Sequence, residues 1–215
     1  MHDGGALAAW QVGSLTEARA AADAGCDFIV AQGTEAGGHV RGQLSLLPLL
    51  DAVLDAVGTP VVAAGGIATP RGVAAVLAAG ASAARLGTRF VATPEANAHR
   101  VYVDALLRAS GDDTALTTAF SGMWPDAPHR VLRSCIEAAR DVDDEIVGET
   151  SMGTARIPVP KFSVPTPTRD ASGAIAAMAL YAGESVGAVM KVMGAGDVVR
   201  ELAEGAERLL RATRP

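Results

Sequence analysis

The sequence predicts an α/β fold with a parallel sheet, on three observations in its first 95 or so residues. Short apolar runs lack the strict alternation of a half-exposed strand, as strands covered on both faces do. Alanine- and leucine-rich segments of helical length separate them. Each run ends in a glycine-rich or polar turn, the place where a βα unit changes direction.

The first run is Ala6 to Val12, and Ser14 follows it as a helix cap, with Glu17 at the third position beyond. That helix is expected to reach about Ala24 and stop at Gly25. The second run is Asp27 to Gln32, the third Pro60 to Ala64 and the fourth Ala81 to Thr88, with helices at about Leu46–Val57 and Arg71–Ala79. These are four consecutive βα units. Pro94 opens a further expected helix to about Ser110. Residues 111–130 read as loop, a helix is expected over about His129–Arg140, and residues 141–168 read as extended and irregular, with the proline-rich IPVPKFSVPTPT. Two helices, about Ala171–Val192 and Asp197–Arg211, close the chain. The second carries Val198, Val199, Leu202, Leu209 and Leu210 on its apolar positions.

With 49% hydrophobic and 20% charged residues in 215, the chain can bury a core and is not disordered as a whole. A net charge of −6 without a basic stripe argues against nucleic-acid binding. No apolar stretch is long enough for a membrane span and the first residues lack the form of a signal peptide, so the cytoplasm is the expected location. Cys26 and Cys135 form no CxxC motif and read as reduced thiols. His39, His99 and His129 are scattered, without metal-ligand spacing, so no metal is expected.

In such folds the chemistry collects at the C-terminal ends of the strands. The second strand ends in AQGTEAGGH (residues 31–39), where Gly33, Gly37 and Gly38 permit close backbone approach and the turn presents Glu35 and His39. A histidine there can serve as a base near neutral pH; read alone, the loop is equally well explained as a glycine turn with a solvated histidine. The third strand ends in AAGGIATPRG. Gly65 and Gly66 bare their amides there, and Thr69 with Pro70 starts a helix, an arrangement suited to phosphate. The fourth ends in RLGTRF, where Gly87 gives amide access and Thr88 a hydroxyl. Two such turns after successive strands are more specific than either alone. Trp10 and Gln11 suit a pocket and simple packing equally, Cys26 reads as core, and Tyr181 reads as an ordinary half-buried tyrosine.

AQGTEAGGH, PVVAAGGIATPRGVAAVLAAGA and LGTRFVATPEA, in that order, resemble the nitronate monooxygenase family, formerly called 2-nitropropane dioxygenase. The likeness covers about Val12 to Tyr102 and resumes at YAGESVGAVMKVMGAGDVVRELAEGAERLL. The resemblance implies a partial (β/α)8 TIM barrel, its last four βα units at residues 1–110, with a loop and helical C-terminal extension at 111–215. It implies FMN as cofactor, contacted by Gln32 and Gly37 and held by its phosphate at Gly65, Gly66 and Arg85-Leu86-Gly87-Thr88. It implies His39 as the catalytic base or substrate-orienting residue, and a reaction in which an alkyl nitronate and O2 give a carbonyl compound and nitrite. The FMN-containing enoyl-acyl-carrier-protein reductases share the EAGGH and AAGGI motifs and are the rival resemblance. On this reading the chain opens near the fifth strand of the barrel, as a fragment or as a piece completed by another chain. Its open, hydrophobic sheet edges would favour self-association. Val40, standing between EAGGH and Arg41-Gly42, departs from the family pattern at the expected rim of the pocket.

Overall fold

The computed structural model describes residues 2–122 and 124–212. In chain order the elements are β1 (Ala9–Val12), α1 (Leu15–Asp23), β2 (Phe28–Gln32), β3 (Gly38–His39), α2 (Leu46–Ala56), β4 (Val61–Ala64), α3 (Pro70–Ala78), β5 (Ala83–Arg85), α4 (Thr88–Val91) and α5 (Arg100–Arg108). There follow β6 (Thr114–Thr117), β7 (His129–Leu132), α6 (Arg133–Asp141), β8 (Ile146–Met152), β9 (Ala155–Pro160), β10 (Ser172–Gly173) and α7 (Ala195–Ala212). The described residues pack into two compact units: residues 2–36, 40–87 and 196–212 form the first, and residues 37–39, 88–122 and 124–195 form the second.

The first unit is the α/β fold that the apolar runs imply. Its parallel sheet has the order β1-β2-β4-β5. On the central strands Ile29, Val30, Ala31, Val61 and Ala63 are all buried, which is why their residues do not alternate in polarity. Both expected caps form: Ser14 Oγ accepts the Glu17 N–H at 3.2 Å, and Thr69 Oγ1 accepts that of Gly72 at 3.1 Å with Pro70 at the first helical position. Glu17 returns a bond to the Gly13 N–H at 2.8 Å. α7 buries Val198, Leu202 and Ala206 but leaves Val199 and Leu209 exposed.

The second unit departs from the sequence reading. Residues 111–130, expected as loop, hold β6 and the start of β7, which with β3 make an antiparallel sheet in the order β3-β7-β6. His129–Leu132 is therefore strand, and the helix expected from His129 begins only at Arg133. The helix expected from Pro94 begins at Arg100 behind His99, whose Nδ1 accepts the Val101 N–H at 3.1 Å. Arg169 instead takes the carbonyls of Pro94 and Ala96.

The stretch expected to be irregular contains the β8–β9 hairpin, turning at Gly153 with φ +63°. Pro158 and Pro160 stand two residues apart on β9, an edge strand, so their missing N–H groups face away from the ladder. The helix expected over Ala171–Val192 is absent: the segment is extended, with short 3-10 turns at Ile175–Ala177 and Glu184–Ala188. Ala177, Met178, Ala179, Leu180 and Ala182 are all at most 2% exposed. The segment pairs beside β7, where Leu132 N–H donates to Leu180 and Ala182 N–H to Arg130. Burial and pairing override its helix propensity.

Gly205 on α7 faces Pro70 at the start of α3, and a Cβ there would stand 2.6 Å from the Pro70 Cβ. Gly205→Ala is expected to lower stability by about 1–2 kcal/mol, because overpacking against a rigid ring outweighs the gain in helix propensity. Gly196→Ala, with only the Arg200 guanidinium nearby at 3.6 Å, is expected to raise stability slightly. Paired thermal melts check the two signs.

Candidate functional site

In the first unit, three strand ends lie side by side. Gln32 pairs with Ala64, and Ala64 with Arg85, so the turns that follow β2, β4 and β5 leave the sheet from one lateral row. Gly65 and Gly66 have φ +104° and +67°, which side-chain-bearing residues adopt at a cost. Space is also short: a Cβ on Gly65 would meet the Gly33 carbonyl oxygen at 3.0 Å, and one on Gly66 the Glu35 Cβ at 3.2 Å. Among the described residues no hydrogen bond is donated by the backbone N–H of Gly65, Gly66 or Gly87. At Gly87 a Cβ would meet nothing within 4 Å, so the turn is open on that side.

The side chains at these strand ends have definite partners. Gln32 is buried, and its Oε1 accepts the Arg41 N–H at 2.9 Å. Glu35 is not a free acid: its two oxygens take the Leu46 N–H at 2.9 and 3.0 Å, capping α2 where Ser45 makes no side-chain cap. Arg85 reaches Gln11 Oε1 at 2.8 Å. β1 and β5 are opposite edges of the sheet, three strand spacings of about 4.8 Å apart. The two side chains thus bridge the sheet from edge to edge on one face. Leu86 is half-buried between Arg85 and Gly87.

In the second unit, Gly37 sits where two backbones cross. A Cβ there would lie 2.5 Å from the Gly183 nitrogen and 3.0 Å from Thr88 Oγ1, and the Thr88 hydroxyl itself accepts the Gly183 N–H at 2.9 Å. Two residues on, His39 stands on β3, opposite His129 of β7. Its imidazole is stacked on Trp124, centroids 4.4 Å apart and 23° from parallel, with the rings of His129 and Tyr181 at 5.4 and 5.7 Å.

His129 is fully buried and fixed in one tautomer. Its Nδ1 stands 2.9 Å from the Ala127 carbonyl, which can only accept, so Nδ1 carries the proton. Nε2 in turn accepts the Phe120 N–H at 3.1 Å. A proton on Nε2 would oppose that donor. Burial lowers the pKa of His129, with the Ala127 bond pulling the other way. Burial, and then the neighbouring His129, holds the pKa of His39 below the usual imidazole value. The Tyr181 hydroxyl donates to the Val164 carbonyl at 2.9 Å, and burial pushes its pKa up to about 12. Tyr181 is thus a neutral wall beside His39, anchored further by the Tyr102 hydroxyl, which donates to its carbonyl.

The result is a neutral imidazole in an aromatic setting at pH 7, able to accept a proton. His129 and Trp124 carried no sequence signal, since their nearness to His39 comes from strand pairing and a loop. Tyr181 stood in the YAGES motif but reads from sequence as an ordinary tyrosine.

A family description named Nitronate monooxygenase matches residues 1–205. The chain belongs to the nitronate monooxygenase family. It is 35% identical over 218 residues to nitronate monooxygenase npaC of Metarhizium robertsii, covering 93% of this chain and 58% of that protein. Among solved structures it resembles a nitroalkane oxidase from Streptomyces ansochromogenes (TM-score 0.73, 31% identity, 99% of this chain and 61% of that one). It also resembles FabK from Thermotoga maritima (TM-score 0.73, 26% identity, 98% of this chain and 64% of that one). The chain spans about half the length of the curated relatives it matches. Among the described residues no helix is long and apolar enough to cross a membrane.

Both histidines have pKa values held below 6.5, so the unfolded chain binds protons more readily than the folded one. The stability this confers is complete above pH 6.5 or so and is lost as the pH falls toward the folded values. Denaturant midpoints are therefore expected to be level above about pH 7 and to fall below about 6.5. Nitrogen-15 spectra are expected to show His129 as the Nδ1–H tautomer until the protein unfolds.

Proposed function

We propose that the chain carries out FMN-dependent oxidation of alkyl nitronates by O2, giving a carbonyl compound and nitrite, on a sheet that forms part of a (β/α)8 barrel. The observation that carries this reading is the row of strand ends in the first unit, where positive-φ glycines with undonated amides stand beside an open glycine turn. Family membership supports it, and the parallel sheet of successive βα units, bridged edge to edge by Arg85 and Gln11, supports the barrel reading.

The residues present fit the phosphate of FMN. The undonated backbone N–H groups of Gly65 and Gly66, in the turn that leads to α3, suit an anion, and at both positions a side chain would be strained and crowded. Gly65, Gly66, Leu86 and Gly87 would hold the phosphate through amides, with Arg85 adding charge. Gln32 would contact the flavin at the end of β2. Thr88 and Gly37 contribute through the backbone crossing with Gly183. FMN, when bound, takes the electrons from the nitronate and delivers them to O2.

His39 does the proton work. Its neutral nitrogen takes the α-proton of a nitroalkane, or, when the substrate arrives as the nitronate anion, orients it by a hydrogen bond. Its depressed pKa keeps it in the accepting form at pH 7. The aromatic rings around it exclude water from one side of the transfer. NAD(P)H-dependent reduction of an enoyl thioester is the second reading, supported by the EAGGH and AAGGI motifs.

Purified chain supplied with FMN is expected to show flavin absorbance bands, and Gly66→Ala to weaken FMN binding about tenfold, a cost of one to two kcal/mol at a left-handed φ. An unchanged affinity would remove Gly66 from the phosphate site. His39→Asn is expected to lower kcat/KM on a neutral nitroalkane by about 10²–10⁴-fold, and much less on the preformed nitronate. Nitrite release with nitronate, and no anaerobic bleaching by NADH, separates this reading from the reductase.

A further inference from the structure

We propose that Trp124 is the specificity-determining residue of the His39 site, its indole serving as the platform on which the alkyl chain of the substrate lies. The proposal rests on the nitronate reading above and deepens it by naming the substrate feature that the chain recognises.

Trp124 is 56% exposed, although it is one of the largest apolar side chains in the protein. Its exposed ring lies against the ring of His39, so apolar area is presented beside the base. The loop that carries the ring is held in place: the Trp124 backbone N–H donates to the Ser121 carbonyl at 3.1 Å, and that of Gly122, two residues earlier, donates to the Phe162 carbonyl at 3.2 Å. Asp126 turns the loop back with φ +56°. A Cβ at Gly122 would come within 3.5 Å of the Ser163 Cα, so the loop lies directly on the 162–164 segment, whose Val164 carbonyl also holds the Tyr181 hydroxyl. Trp124 and Tyr181, which both face His39, are thus fixed to one stretch of backbone.

The stacking geometry explains the division of labour. An imidazole uses its lone pair in the plane of the ring, while Trp124 covers a face, at 4.4 Å and 23°. The indole therefore lies off the in-plane direction along which the ring takes a proton; Nε2 itself is buried. Being bicyclic, the indole overhangs the smaller imidazole and continues the flat surface past it. A substrate whose acidic carbon meets the imidazole edge has its alkyl chain laid along that overhang. Nothing charged is needed to bind the chain, and the gain grows with each methylene that covers indole carbon.

The test uses saturated alkyl carboxylates from acetate to hexanoate, whose flat delocalised O–C–O anion imitates the O–N–O of a nitronate and which neither react nor need FMN. Calorimetry on the 215-residue chain is expected to give a Kd that falls by about 2- to 4-fold per added methylene. Trp124→Ala is expected to flatten that dependence, and Trp124→Phe to keep part of it. In a Trp10→Phe background, where Trp124 is the remaining tryptophan, its emission is expected to change on hexanoate binding. An undiminished chain-length slope in Trp124→Ala, or emission indifferent to saturating hexanoate, overturns the proposal. Carboxylates that bind with the expected slope to a chain that oxidises no nitronate would leave the platform standing and remove the reaction assigned above.

Discussion

His39 stands where it does because β3, only two residues long, pairs antiparallel with β7 in the register His39↔His129. Everything else at that end of the second unit follows from this pairing. It sets one imidazole against a second that is buried and fixed as a neutral tautomer. It also aligns both with Tyr181, which bridges to Val131 on the same strand. The short strand is held at its start by Gly37, where glycine alone lets the chain pass the Ala182–Gly183 backbone. Arg130, the next residue of β7, pairs with Glu184 at 2.9 Å and secures the segment on which Tyr181 lies.

The electrostatic consequence is a base that needs no carboxylate to tune it. In many sites a histidine is raised or oriented by an acid; here burial first, and then the nearness of His129, lower its affinity for protons. Glu35, the acid nearest to it in sequence, is occupied as the cap of α2. A neutral imidazole among aromatic rings suits a carbon acid, whose own charge after proton loss is delocalised and has little need of a cation close by.

Some of this was legible before any coordinates. The caps at Ser14 and Thr69 rest on bonds within four residues, so their spacing announces them. The four apolar runs read correctly as a parallel sheet because burial on both faces leaves its mark on every residue. The second unit was opaque for the converse reason. Alanine-rich 171–182 has the composition of a helix, but its neighbours bury residues 177–180 and Ala182 and give its backbone other partners. The prolines of β9 read as extended and irregular chain rather than a paired strand because the sequence does not say which strand is at an edge.

By itself, the sequence determined the βα units of the first half, the glycine turns at their ends and, through its motifs, the family. These depend on local spacing, and local spacing is written in the chain. The tertiary structure alone decided that Trp124, His129 and Tyr181, scattered over some sixty residues, surround one imidazole. It decided too that Glu35 is a cap rather than an acid and that Arg85 reaches Gln11 across the sheet. Contacts between residues far apart in sequence come from strand register and the close passage of backbones, and no pattern of neighbours along a chain encodes them.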